Sequence, residues 1–267
     1  MVPYRTVKLV SFSPTGATRR VLEAIARALP AERVERLDLT PPQADTAAWD
    51  LIEGELALIG APVYAGRIPA VAERRLRRVS GRNAAAVVVA VYGNRAYEDA
   101  LIELRDLAIQ RGFTPVAGAA FVGEHSFSTP GAPIAAGRPD AQDERAAARF
   151  AAQVRTKLAQ LESLDAAPLL DVPGDAPYKE RGPGMPIIPT TRQPSCTLCG
   201  ACARACPTGA IAVGDQVSTR AEHCILCYAC VRECPTEARV LDNPRFWQVM
   251  ARRSAEWGAR KEPETYL

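Results

Sequence analysis

The sequence predicts an α/β protein, a doubly wound sheet of five parallel strands followed by a small α+β domain built around cysteines. Three observations carry this reading. Short β-branched runs alternate with helical patterns over residues 1–163. The run at 85–91 is apolar without polar alternation, as expected of a strand covered on both faces of a parallel sheet. All eight cysteines fall between Cys196 and Cys234.

Taken in order, residues 7–11 form the first expected strand. An amphipathic helix follows near 15–29, where Val21, Leu22, Ile25 and Leu29 recur at helical spacing. Further strands are expected at 34–39, 56–59, 84–91 and 116–122, with helices at 69–79, 97–110 and 140–161. Between Pro168 and Pro194 stand Pro173, Pro177, Pro183, Pro186 and Pro189 with several glycines. So much proline resists helix and sheet, so 164–194 reads as an extended linker that wraps or spaces two domains. The domains are then 1–163 and 195–241. A tail at 242–267 has Phe246, Trp247, Val249, Met250 and Trp257 at helical spacing, which predicts packing back across a domain.

The cysteines form two copies of one pattern, Cys196-x-x-Cys199-x-x-Cys202-x-x-x-Cys206-Pro207 and Cys224-x-x-Cys227-x-x-Cys230-x-x-x-Cys234-Pro235. Three closely spaced thiolates suit one corner of an iron-sulfur cube, and in this ligation scheme the fourth comes from the opposite motif. One [4Fe-4S] cluster is then expected on Cys196, Cys199, Cys202 and Cys234, and the other on Cys224, Cys227, Cys230 and Cys206. Structural zinc also uses C-x-x-C, but a tetrahedral site has no use for a third close cysteine followed by Cys-Pro. A disulfide framework needs an oxidising compartment, and the start Met1-Val2-Pro3-Tyr4-Arg5 has no apolar export segment. A cytoplasmic protein is expected.

The charge balance bounds the partners. The net charge is +3, with 21 basic and 18 acidic side chains over 1–163 and four of each over 195–241. Neither region has the positive field that nucleic-acid binding needs. No apolar run is long enough to cross a bilayer, so no membrane partner is expected. The densest basic stretch, Arg74, Arg75, Arg77, Arg78 and Arg82, reads as a solvated helix face or as a docking patch for an acidic electron carrier. His223 precedes a cysteine ligand and reads as a surface group or as support for that ligand.

In a doubly wound sheet, ligands bind at the carboxyl ends of the strands. After the first strand comes Ser11-Phe12-Ser13-Pro14-Thr15-Gly16-Ala17-Thr18, a hydroxyl-rich loop running into a helix start. Its amides and the Ser13, Thr15 and Thr18 hydroxyls can surround a phosphate, aided by the helix dipole. The loop lacks the Lys of a Walker motif, and no dinucleotide G-x-G-x-x-G is present, so a monophosphate without metal fits better than a nucleoside triphosphate. An ordinary capped helix start is the alternative.

The third strand runs into Pro62-Val63-Tyr64-Ala65-Gly66 and the fourth into Tyr92-Gly93-Asn94-Arg95-Ala96-Tyr97. With the first loop and the repeated cysteine motif, which aligns 196–208 with 224–236, the chain resembles flavodoxin domains fused to bacterial two-cluster ferredoxins. The resemblance covers nearly the whole chain. It implies FMN, with Ser13, Pro14, Thr15, Gly16, Ala17 and Thr18 at the phosphate. Pro62, Val63, Tyr64, Ala65 and Gly66, with Tyr92, Gly93, Asn94, Arg95 and Tyr97, would hold the ring. Glu124 and His125, after the fifth strand, also look like the fusion family and are expected near the flavin. The sequence departs from the common flavodoxin loop at Ala17, where asparagine is frequent. In the ferredoxin-like half, the resemblance implies a short helix after each motif's last cysteine, with strand pieces at 211–213 and 239–241 and a turn at Gly214-Asp215.

FMN and two [4Fe-4S] clusters on one chain imply an electron-transfer protein, exchanging electrons with donor and acceptor proteins and with contact inside one chain or across a homodimer. The alternative is a flavin-dependent reductase of a small organic substrate or quinone fed by the clusters. Its acid would come from Glu124, His125, Tyr64 or Tyr97. A third reading, an assembly subunit with an empty flavodoxin fold, predicts no flavin.

Overall fold

The computed structural model describes residues 4–52, 54–182 and 184–267. The start at 1–3 and Pro183 of the linker lie outside the described residues. The first domain comprises β1 (Thr6–Ser11), α1 (Ala17–Arg27), β2 (Arg33–Asp38), β3 (Trp49–Ile52), β4 (Glu55–Pro62), α2 (Ala70–Leu76), β5 (Val79–Arg82), β6 (Ala84–Tyr92), α3 (Ala100–Gln110), β7 (Phe113–Val122) and α4 (Ala141–Gln160).

Its sheet runs β2-β1-β4-β6-β7 with all neighbours parallel. This is the flavodoxin-like doubly wound order, in which the switch point lies between β1 and β4. Every residue of β6 is buried, as its unbroken apolar run requires. Two cores result. One face packs Val21, Leu22 and Ile25 of α1 and Phe150, Val154 and Leu158 of α4 against Leu9, Leu58 and Val87. The other packs Leu76 of α2 and Leu101, Leu104 and Leu107 of α3 against Val10, Ile59 and Val88.

The second part contains β8 (Thr190–Thr191), α5 (Ala201–Arg204), β9 (Ile211–Val213), β10 (Val217–Thr219), α6 (Ala229–Arg232), β11 (Arg239–Val240), α7 (Pro244–Glu256) and β12 (Glu264–Tyr266). β9 pairs with β10 and β11 pairs with β8, both antiparallel. The short helices correct the expectation. Each encloses the third cysteine of its motif and ends before the fourth, starting after a left-handed residue, Gly200 or Tyr228. Pro207 and Pro235 explain the early stop, because a residue before proline is driven out of the helical region.

Three further elements differ from the sequence reading. β12, from the tail, adds an antiparallel strand to β7, so the sheet has six strands. β3 and β5 form a separate parallel pair, and the helix expected at 69–79 stops at Leu76 because Val79 enters that pair. The proline-rich segment is fixed to α3. Leu170 and Val172 are buried in the second core, the Asp175 and Lys179 amides donate to the Asp99 carboxylate, and Tyr178 donates to Asp106 at 2.6 Å.

No helix among the described residues is long and apolar enough to cross a membrane.

Candidate functional site

The carboxyl ends of β1, β4, β6 and β7 surround a cavity of about 550 Å³, within the range of small-molecule sites. Of the residues expected at a ligand, Ser13, Pro14, Thr15, Ala17, Thr18, Pro62, Val63, Tyr64, Ala65, Tyr92, Gly93, Glu124 and His125 line it. Gly16 instead faces a neighbouring cleft between the domains, lined also by Thr40, Arg204 and Cys206.

The first loop is held by its own hydrogen bonds. The Ser13 amide donates to Thr40 Oγ1 at 2.8 Å, and Ser13 Oγ accepts from the Arg19 amide at 3.1 Å. Gly16 takes a positive φ of 82° and starts α1, whose first turn carries no acidic residue. The leading amides of a helix lack carbonyl partners one turn back, so those of Ala17 and Thr18 are suited to an anion. A Cβ on Gly123 would lie 2.9 Å from the Ala17 Cβ. This close approach between the β1 and β7 loops favours alanine at position 17 over the bulkier asparagine.

On the walls, burial pushes the Tyr64 phenol well above its usual value, and the nearby Cys227 thiol adds to the effect. His125 packs its ring against Phe127 and Trp257, with centroids 5.4 and 5.9 Å away, and its Nδ1 accepts from the Phe127 amide at 3.1 Å. Burial, then Arg232 and Arg95, pushes the imidazole down to about 4, so it is neutral at ordinary pH. A Cβ on Gly93 would fall 2.4 Å from the His125 ring, so only glycine admits that ring position. Glu124 is tied to Arg232 of α6 at 3.1 Å and to the Gly137 amide at 3.2 Å.

Gly66, Asn94, Arg95 and Tyr97 stand outside this lining. Gly66 packs on the Glu98 side chain. The other three hold the tail. Asn94 Nδ2 donates to the Trp257 and Ala259 carbonyls, the Arg95 carbonyl accepts from Lys261, and the Tyr97 hydroxyl bonds Glu264 at 2.7 Å and Tyr266 at 2.8 Å. The tail thus occupies the Asn94 and Tyr97 side chains expected at the ring, while the Arg95 side chain pairs with Glu98.

Conversely, the cavity gains Arg67, Arg181, Met185, Cys224, Ile225 and Leu226. The last three belong to the second cysteine motif. No local sequence signal marks them, because they arrive through docking of one domain on the other. The same docking corrects the reading of the arginine run. Arg75 is wholly buried, held by Asp45, the Leu39 and Thr40 carbonyls and, at 2.7 Å, the Pro207 carbonyl. Arg74, Arg77 and Arg82 pair with Asp45, Glu73 and Asp50, and Arg78 donates to the Ala47 and Thr46 carbonyls.

Cys206, Cys224, Cys227 and Cys230 line one small cavity with Ala210, Ile225 and Arg239. Cys206 Sγ accepts the Ala210 amide at 3.2 Å. Burial pushes the Cys227 thiol up to about 12, a value that bound iron overrides by displacing the proton. Cys202 is buried near Cys196, whereas Cys199 is exposed and Cys234 half-buried. Burial raises the Cys234 thiol, but donors led by the Arg239 amide outweigh it and bring the thiol below its usual value. Among the described residues, no three His, Cys, Asp or Glu side chains meet closely enough to hold a single metal ion. Thiols spread around a cavity are instead the donor set for a cube.

Residues 195–238 match the family described as a 4Fe-4S dicluster domain. An iron-sulfur domain of this kind gives the chain a redox, electron-transfer role. No curated protein matches the chain. Among solved structures it is similar to a flavodoxin from the domain Archaea, at 13% identity and TM-score 0.36, covering 58% of this chain and 99% of that one. It is also similar to the Streptococcus pneumonia TIGR4 flavodoxin, at 16% identity and TM-score 0.39, covering 57% and 99%. The Fusobacterium nucleatum flavodoxin bound to flavin mononucleotide matches at 12% identity and TM-score 0.36, covering 57% and 98%. The chain thus joins a flavodoxin-like α/β domain to a 4Fe-4S dicluster domain at 195–238, with the second folded over the carboxyl end of the first domain's sheet.

Proposed function

We propose that the chain relays electrons between FMN in the 550 Å³ cavity and two [4Fe-4S] clusters, and exchanges them with separate donor and acceptor proteins. One observation carries this reading. The loop that begins at the ligand cysteine Cys224 also supplies Ile225 and Leu226 to the cavity wall, so one short segment borders both cofactor sites. The cluster held by Cys206, Cys224, Cys227 and Cys230 is then the flavin-side cluster. The one held by Cys196, Cys199, Cys202 and Cys234 faces outward, where Cys199 and Leu198 are exposed.

The flavin exchanges electrons in pairs or singly, and each cluster passes one at a time. The protein positions them. The Ala17 and Thr18 amides and the Thr15 hydroxyl hold the phosphate, Tyr64 and His125 border the ring, and Met185, Ile225 and Leu226 exclude water. The relay is favoured over substrate reduction because three of the four named acids are engaged, and burial holds the fourth, Tyr64, well above its usual value, which makes it a poor proton donor. Glu124 pairs with Arg232, Tyr97 bonds the tail, and His125 is held neutral.

Anaerobic purification followed by flavin, iron and acid-labile sulfide determination tests this. About one FMN and about eight irons per chain are expected. Full iron without flavin, even after FMN is added, would overturn the relay.

A further inference from the structure

The two halves of the cysteine repeat differ at a position that is buried in both. Cys206-Pro207-Thr208-Gly209-Ala210 leads to Ile211, whereas Cys234-Pro235-Thr236-Glu237-Ala238 leads to Arg239. Ile211 is an ordinary buried hydrophobe. Arg239 is only 2% exposed, and among the described residues no carboxylate pairs with it. Its Nη1 donates to Thr191 Oγ1 at 2.7 Å, and its Nη2 to the Pro189 carbonyl at 2.9 Å and Thr219 Oγ1 at 3.0 Å, all neutral acceptors. Nη2 also lies 3.7 Å from Cys230 Sγ, and the Arg239 amide donates to Cys234 Sγ at 3.4 Å. Its Nε is buried with no partner.

A buried cation left uncompensated costs several kcal/mol. Here its surroundings are the cluster ligands. Arg239 lines the cavity of Cys206, Cys224, Cys227 and Cys230. A cube bound by four thiolates is negative in both oxidation states, and more so when reduced. Hydrogen bonds and nearby charge set its potential.

We propose that Arg239 is the fixed counter-charge of the cluster pair, stabilising the reduced form of the flavin-side cluster so that an electron from the flavin can rest there before passing outward. The inference rests on the relay reading for its electron source. The step adds one electron from reduced flavin to the cluster, makes and breaks no bond, and is reversed when the outer cluster takes that electron. Arg239 is a positioning residue in this scheme, since it acts through the cluster.

The test is an anaerobic redox titration of the intact protein, followed by electron paramagnetic resonance, in wild type and in Arg239→Ile, Arg239→Gln and Arg239→Lys. Arg239→Ile copies the other half of the repeat. At fixed ambient potential it is expected to lower the reduced-to-oxidised ratio of the flavin-side cluster at least tenfold, about 59 mV for one electron. Arg239→Lys should stay within about threefold of wild type. If Arg239→Ile does not retain its iron, Arg239→Gln carries the same comparison. A ratio within twofold of wild type in an iron-replete neutral variant overturns the proposal. Wild-type protein lacking cluster iron would overturn both readings, whereas full iron without flavin would defeat the relay and leave the counter-charge standing.

Discussion

The guanidinium of Arg75 donates to the carbonyl of Pro207 at 2.7 Å with none of its side chain exposed. It reaches from α2 of the flavodoxin-like domain to the residue after Cys206, which lines a small cavity with Cys224, Cys227 and Cys230. Arg232 answers from the opposite direction, donating to Glu124 and to the His125 and Ser126 carbonyls. These two arginines bracket the cavity and hold the domains in register over it.

Arg75→Met keeps the apolar stem and removes the fork. The expected cost is about 2–3 kcal/mol, because Asp45 and three carbonyls lose a charged donor together. Chemical denaturation under argon measures this. The domain contact predicts a second effect, slower reduction of the clusters by photoreduced flavin, visible in stopped-flow absorbance with cofactor content unchanged. Equal stability and equal rates in the variant would remove Arg75 from the interface.

Tyr64 borders the cavity and lies near Cys227. Tyr64→Ala opens the cavity wall and is expected to weaken FMN binding about 10- to 100-fold, the loss of one aromatic contact surface. Tyr64→Phe should stay within about threefold, since Tyr64 contributes its ring rather than its hydroxyl. Fluorescence titration of the apoprotein with FMN separates the two. A Phe variant as weak as the Ala variant would assign the role to the hydroxyl.

The tail explains which parts of the site were legible in the sequence. β1, β2, β4, β6 and β7 are readable because each is a run whose composition declares a strand, and the loops at their carboxyl ends follow from topology. β12 is three residues, Glu264–Tyr266, and is a strand only because β7 offers it an edge. Its presence turns Tyr97 from an expected ring contact into a tail contact. Arg67, Arg181, Met185, Ile225 and Leu226 enter the cavity by tertiary docking, which no local pattern encodes. The cysteine spacing is the opposite case, because the repeated pattern is written into the chain itself and 195–238 matches the dicluster family.

Removing 243–267 should therefore act on both domains. It uncovers Phe127, Ile134 and Tyr228, against which Phe246 and Met250 pack, and it takes Trp257 from His125. FMN release is expected to accelerate about tenfold, a loss of roughly 1.4 kcal/mol in holding the cavity wall. Stopped-flow release into excess apoflavodoxin checks it. Unchanged release would confine the tail to stability alone.

His125 makes the stability of the protein depend on pH in a defined window. Its folded value is depressed from 6.5 to about 4, first by burial and then by Arg232 and Arg95. Between these values the unfolded chain binds the proton and the folded one resists it, so acid favours unfolding. The contribution is fully present above pH 6.5, falls as the pH drops through the window, and is gone below about 4. Its ceiling is about 3.5 kcal/mol, at about 1.4 kcal/mol for each pH unit of the window. His125→Gln removes the titration, so the gap in unfolding free energy between wild type and variant should be constant above pH 6.5 and should shift against wild type from there to pH 4. Anaerobic urea unfolding at several pH values measures that gap. A flat difference throughout would show that the folded imidazole takes up its proton as readily as the unfolded one, contradicting the closed packing of Gly93, Phe127 and Trp257 around it.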